Sequence, residues 1–300
     1  MNELVYTWVD GAAEGYEELC RRYTSSPQDL NPERYRDPYE LLRYSLRSVE
    51  QFVPWIERVL LFTCRPQVPD WLSSEVTVVH HDEIIDSRFL PTFSPNVIES
   101  YLHLLPLQSP FFLYANDDFF FGAPVAREDF LTPGGRLRVY GTLMGEQLAW
   151  RIRDRTQVPS FGFLEHTPYP IHRELWGKML EHYARDVEAT RRNRFRCSED
   201  LRMDRLWRYF LLSQHRARCS VVSGWEVVRG AAFLKLHNDA PRLERQLANV
   251  GKRFLCLNDD QGPSPAPSAQ AVVREFLERS YPWPSRWEKR PAIGLESGGS

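Results

Sequence analysis

The run Pro110-Phe111-Phe112-Leu113-Tyr114-Ala115-Asn116-Asp117-Asp118-Phe119-Phe120-Phe121-Gly122 sets the strictest condition on how this chain folds. Phe111 to Ala115 is too short to cross a membrane and rich enough in β-forming residues to be a buried strand, which places Asn116, Asp117 and Asp118 at its end. Asn and Asp between two apolar runs also make a ready turn. Here, however, apolar residues flank the triplet on both sides. Two adjacent carboxylates beside buried surface are costly unless a cation or a proton offsets them. In open α/β sheets ligands bind at the carboxyl ends of strands, and carboxylates with an amide oxygen are hard donors suited to Mg²⁺ or Mn²⁺.

The rest of the chain supplies such a sheet. Leu4 to Val9 reads as a first strand stopped by Asp10-Gly11, which makes Asp10 a second carboxylate at a strand end. Ala12 to Tyr23 reads as helix, and Thr24 to Asp37 as a loop that could cover a site. Pro38 opens a helix with Leu41, Leu42, Ser45, Leu46, Val49, Phe52 and Val53 on its apolar face, and Pro54 ends it. Arg43 and Arg47, four apart on another face, fit either solvent or an anion. Strands are expected at Arg58 to Cys64 and Val76 to His80, then a helix capped by Ser94 with Pro95 at its first position. This alternation predicts an α/β fold with a mostly parallel sheet and Asp10 and Asp117/Asp118 at neighbouring strand ends.

After the strand-like Leu137 to Tyr140 the pattern turns helical, at Ile171 to Thr190 and Ser198 to Arg216, with Ser198-Glu199-Asp200-Leu201 as the start of the second helix. Arg191 to Arg196 is a basic cluster that would face this start, either as a phosphate cradle or as a solvated loop. Returning strands are expected at Val221 to Val228, Phe233 to His237 and Phe254 to Leu257, with a helix at Pro241 to Val250. The last strand again delivers Asn and Asp at its end, Asn258-Asp259-Asp260. A helix at Ala269 to Ser280 and a Trp- and Pro-containing strap follow. Residues 1–294 thus read as one catalytic domain: 1–140 the nucleotide-sugar-binding α/β part, 141–220 a helical insertion, 221–294 returning strands and strap. Leu295 to Ser300 resembles an appended tail.

A net charge of −2 argues against a nucleic-acid partner. Five scattered cysteines without a Cys-x-x-Cys pair fit reduced thiols in the cytoplasm. With no leader-like start and no run of ~18 apolar residues, the expectation is a soluble, cytoplasmic protein without a transmembrane segment, open to peripheral membrane association.

Laid out in this way the chain resembles the Stealth family of sugar-phosphate transferases. Val5 to Gly11 resembles its first block. Glu40 to Ser48, Pro54-Trp55-Ile56, Leu90 to Ser94, Ile98-Glu99 and Asn116-Asp117-Asp118 resemble the second. His166-Thr167-Pro168-Tyr169 with Arg196-Cys197-Ser198-Glu199-Asp200 resembles the third, and Cys256-Leu257-Asn258-Asp259 the fourth. The resemblance implies a GT-A-like, Rossmann-like nucleotide-sugar fold. It also implies transfer of a sugar 1-phosphate from a nucleotide diphosphate sugar, often UDP-linked, to an acceptor saccharide hydroxyl, with release of a nucleoside monophosphate such as UMP. On this reading Asp117, Asp118 and Asn258 hold Mg²⁺ or Mn²⁺, and Arg43, Arg47 and Arg196 offset diphosphate charge. Tyr6, Trp8, Asp10, Gly11 and Ser94 line the nucleotide sugar. His166, with an imidazole that ordinarily titrates near ~6.5, takes the acceptor proton, Asp10 and Asp200 being rival bases. A glycosyltransferase that releases UDP, or a non-catalytic sugar-nucleotide binder, are the alternative functions.

Overall fold

The structure is a computed structural model that describes residues 1–140, 166–222, 226 and 229–290. Its main sheet has strand order β3-β2-β1-β4-β7: β1 (Glu3–Trp8), β2 (Arg58–Thr63), β3 (Thr77–His80) and β4 (Phe111–Asn116) run parallel, and β7 (Tyr169–His172) is antiparallel at the edge. The first three strands progress one way from β1, and the chain then crosses to lay β4 on the opposite side of β1. The carboxyl ends of β1 and β4 therefore flank a topological switch point, the place where such sheets open a crevice. Leu4, Val5, Tyr6, Leu113, Tyr114 and Ala115 are all buried, as expected for central strands covered on both faces.

Two residues, Asp117 and Asp118, carry the chain from β4 into β5 (Phe119–Phe121), which belongs to a second sheet ordered β5-β10-β9. In it β10 (Phe254–Asp259) pairs antiparallel with β5 and parallel with β9 (Ala231–Leu236). Helix α2 (Leu41–Phe52) fixes this step between sheets. Its Ser45 hydroxyl bonds the Phe119 carbonyl and lies 2.7 Å from the Tyr6 hydroxyl, and its Ser48 hydroxyl accepts from the Phe121 amide at 3.0 Å. Gly122 closes the run because a Cβ there would collide with the Lys252 carbonyl.

The other helices are α1 (Tyr16–Arg21), α3 (His81–Ile84), α4 (Pro95–Glu99), α5 (Arg173–His182), α6 (Ala184–Arg191), α7 (Met203–Gln214), α8 (Ala240–Ala248) and α9 (Pro267–Ser280). A small parallel pair joins β6 (Leu137–Tyr140) to β8 (Cys219–Val222). Helices α5 to α7 form a block between β7 and β8, locked by Trp176 against Trp207 at 5.3 Å. After α9 the strap returns to the first sheet, where the Lys289 amide donates to the Trp71 carbonyl and the Ser73 amide to the Trp287 carbonyl, both at 2.8 Å.

The α/β architecture and mainly parallel sheet agree with the sequence reading. Two short strands differ from it: Phe119–Phe121 is hidden in an apolar run with no turn spacing, and Tyr169–His172 takes the first two residues of the helix expected from Ile171. Ser198 to Leu201 does not start α7, because Asp200 folds back on its own loop. The parts of the expected units at 141–165 and 291–300, and most of the expected strand beyond Val222, lie outside the described residues.

Candidate functional site

At the switch point the Asp10 backbone is held by Gln67, whose Oε1 accepts from the Asp10 amide at 2.7 Å and whose Nε2 donates to its carbonyl at 2.9 Å. Gly11 is required because the Thr24–Asp37 loop crosses it closely: a Cβ would come within 2.5 Å of Tyr35 Cβ. That loop ends in Asp37, which accepts from Trp8 Nε1 at 3.2 Å and from the Leu41 amide at 2.7 Å, thereby capping α2. Burial raises the Asp37 carboxyl to about 6, and the charges of Asp10 and Glu40 add to the rise. Asp117 is pushed well above the carboxylate range by burial and by the Asp118 and Asp37 charges. Asp118 is raised to about 6 by burial, against which the Cys256 thiol, Asn258 and the Arg196 charge favour its ionised form. Cys256 Sγ donates to Asp118 Oδ2 at 3.1 Å, while Asp118 Oδ1 is buried without a hydrogen bond.

The opposite wall is basic. Desolvation depresses the Arg196 guanidinium, the neighbouring Arg34 and Arg202 charges add to this, and Glu99 opposes them. Arg34 reaches Asp29 at 3.6 Å and Arg202 reaches Asp204 at 3.3 Å. Glu99 is buried at the end of α4, 3.2 Å from the Tyr114 hydroxyl, which in turn lies 2.8 Å from Asn116 Oδ1 and 2.8 Å from Thr7 Oγ1. Burial and the Asp204 charge raise Glu99 to about 8. Arg196 is felt by both Asp118 and Glu99, so acidic and basic walls share one space.

His166 joins this group. Its ring lies 6.5 Å from that of Phe119, the residue after Asp118, and 4.4 Å from that of Phe233 on β9. Other expected residues have different work. Tyr6 is fully buried on Ser45 and belongs to the core, not to a nucleotide surface. Arg43 and Arg47 point away to clamp buried Glu288 of the strap, at 2.6 and 2.8 Å, which replaces both the solvated and the anion-binding readings. Asp200 spends its two oxygens on Asn193 Nδ2 at 2.7 Å and the Cys197 amide at 2.9 Å, so it shapes the loop carrying Arg196 and is not poised as a base. Ser94 sits at the start of α4 as expected, yet its hydroxyl makes no cap bond and is buried unpartnered. Asp37, Glu99, Arg34 and Arg202 were missed as site residues. Asp37 ends a loop already suspected of covering a site, whereas Glu99 stands in an apolar helix, where a buried carboxylate is itself a signal.

Family models for Stealth proteins match in order: conserved region 2 over residues 34–139, region 3 over 165–213 and region 4 over 246–293. The chain belongs to the Stealth family. The exopolysaccharide phosphotransferase CpsY of Mycobacterium leprae (strain TN) is 32% identical over 96% of this chain and 57% of its own length. The capsular polysaccharide phosphotransferase LcbA of Neisseria meningitidis is 30% identical over 67% of this chain and 62% of its own. The chain thus spans under two thirds of the length of these curated Stealth relatives. Among solved structures, the galactosyltransferase LgtC in complex with donor and acceptor sugar analogues covers 92% of this chain and 95% of its own at 11% identity and a TM-score of 0.46, a likeness too distant to carry weight.

Within this Stealth chain the donor set for a cation is partial. Among the described residues no group of three or more His, Cys, Asp and Glu converges on one point. Asp117, Asp118 with its unpartnered oxygen, and the Asn258 amide still fit Mg²⁺, which takes one or two carboxylates and completes its shell with water and substrate phosphate. Among the described residues no helix is long and apolar enough to cross a membrane.

Proposed function

We propose that residues 1–294 form the catalytic unit of a sugar-phosphate transferase acting in exopolysaccharide or capsule synthesis. The donor is a nucleotide diphosphate sugar, a UDP-linked hexose or N-acetylhexosamine, and the acceptor is a saccharide hydroxyl. One observation carries the reading: a buried carboxylate pair with an unpartnered oxygen lies within electrostatic reach of Arg196, which also reaches Glu99 and has Arg34 and Arg202 beside it. A diphosphate would offer its charge to the guanidinium forks on one side and to a cation held by the carboxylates on the other.

In this scheme Asp117, Asp118 and Asn258 would hold Mg²⁺ or Mn²⁺, which would offset the diphosphate charge. Arg196, with Arg34 and Arg202, binds the oxygens of the phosphoryl group that is transferred, and Trp8, Asp10 and Asp37 border the nucleotide. His166 accepts the proton of the acceptor hydroxyl as its oxygen bonds to the sugar-bearing phosphorus. The bond from that phosphorus to the nucleoside monophosphate breaks, and the monophosphate leaves with the electron pair. The five free thiols suit a cytoplasmic site of action. Incubation with UDP-sugars, saccharide acceptors and Mg²⁺, followed by chromatography of the released nucleotide, tests the reading. UMP supports it, and UDP identifies an ordinary glycosyltransferase instead.

A further inference from the structure

Phe233 lies on β9, the outer strand of the second sheet. It stands in register with Cys256 on β10, which is in register with Phe119 on β5, so the three side chains form one row across one face. The inner two are sealed, at 3% and 0% exposure, whereas Phe233 is 43% exposed. Cys256 and Phe119 adjoin Asp118 by hydrogen bond and by sequence, so the row runs from the proposed cation site outward to an open aromatic ring. His166 sits on this row, tilted 32° over Phe233 at 4.4 Å and edge-on to Phe119 at 6.5 Å, with its backbone in the left-handed region at φ 60°. A non-glycine residue held there needs its surroundings to fix it, and two aromatic rings do so.

We infer that Phe233 is the floor of the acceptor subsite and binds the apolar face of a pyranose ring beside His166. The inference rests on the phosphotransferase reading above and adds to it the residue that seats the acceptor. A single exposed phenylalanine is unremarkable on most surfaces; one placed a ring's width from the proton acceptor is in position to be covered by substrate. A pyranose has C–H groups on its faces and hydroxyls around its rim. Laid on Phe233 it removes apolar area of both partners from water while its rim faces the His166 imidazole. Further along the same face of β9 stands Lys235, ion-paired with Asp260 at 3.1 Å, a polar edge suited to hydroxyls.

The test uses methyl pyranosides of gluco, galacto and manno configuration and their 2-acetamido forms as probes, with saturation-transfer NMR on the whole chain. Wild type and Phe233→Tyr should transfer saturation to pyranoside C–H protons, and Phe233→Leu, which keeps apolar bulk but loses the flat face, should lose at least about nine-tenths of that signal. UDP-sugar binding in the presence of Mg²⁺ should be unchanged in Phe233→Leu, which separates loss of the acceptor subsite from general damage to the site. Thermal denaturation checks folding, and Phe233→Met replaces the leucine variant if that does not fold. Equal pyranoside signals in wild type and Phe233→Leu, no pyranoside signal in wild type, or parallel loss of UDP-sugar binding in Phe233→Leu each overturn the inference. Release of UMP by wild type is read separately, so the subsite can fail while the phosphotransferase reading stands, and the reverse.

Discussion

Glu99→Gln should make the protein more stable at neutral pH, by an amount that grows with pH. Glu99 is buried and its carboxyl is raised to about 8 from an ordinary 4.5. The sign follows from the proton count. Between these values the folded chain keeps a proton that the unfolded chain has released, so folding stability falls as pH rises through the window. From pH 4.5 to pH 7 the loss is about 2.5 pH units at ~1.4 kcal/mol each, roughly 3 kcal/mol as an upper figure. The Tyr114 hydroxyl lies within donating distance of both Glu99 Oε1, at 3.2 Å, and Asn116 Oδ1, at 2.8 Å. Glutamine has the same shape, offers an N–H in place of the O–H and carries no charge at any of these pH values. Urea unfolding of wild type and Glu99→Gln from pH 4.5 to 8 should therefore give curves that nearly coincide at pH 4.5 and diverge by about 2–3 kcal/mol at pH 7. A constant difference across that range, or a variant that is less stable at pH 7, would refute the reasoning.

Asp118→Ala should abolish Mg²⁺-dependent donor binding, measured by calorimetry with a UDP-sugar, and full activity in excess EDTA would contradict the cation's role. Arg196→Lys keeps the charge but not the bidentate fork and should cost about 10- to 100-fold in turnover, from ~1.5–3 kcal/mol of lost charged hydrogen bonding; wild-type rates would return Arg196 to a solvated loop. His166→Ala should lower transfer by about 10²- to 10⁴-fold with little change in donor affinity, and an unchanged acid limb in its pH–rate profile would remove histidine from the role of base. Glu288→Ala strands the Arg43 and Arg47 guanidiniums and should destabilise by about 3 kcal/mol in thermal melts at pH 7. Although burial opposes ionisation, these arginines hold the Glu288 carboxyl below its ordinary value, so the contribution is present at neutral pH and is lost as pH falls through that depressed value.

The main sheet was legible because its strands are apolar runs with punctuated ends, and Asp117 and Asp118 were legible because the flanking aromatics made their charge anomalous. Phe119–Phe121 was not, since its partner Cys256 stands far along the chain and only α2 serines tell the strand where to begin. Arg43 and Arg47 resembled an anion site until Glu288, more than 240 residues away, was seen to occupy them. Asp200 misled for the opposite reason: an acidic residue after Ser looks like a helix start, yet its nearest donors belong to its own loop. Arg34, Asp37 and Glu99 lie in segments whose local pattern is loop or apolar helix, and only the crossing of three elements makes them a site.

The fate of the donor's sugar-bearing phosphorus tests the central claim most directly. Phosphorus NMR of wild-type protein with a UDP-sugar, Mg²⁺ and an acceptor saccharide should show the diphosphate signals replaced by one phosphodiester and one nucleoside monophosphate. Diphosphate signals that persist as UDP, with no phosphodiester formed, would contradict it.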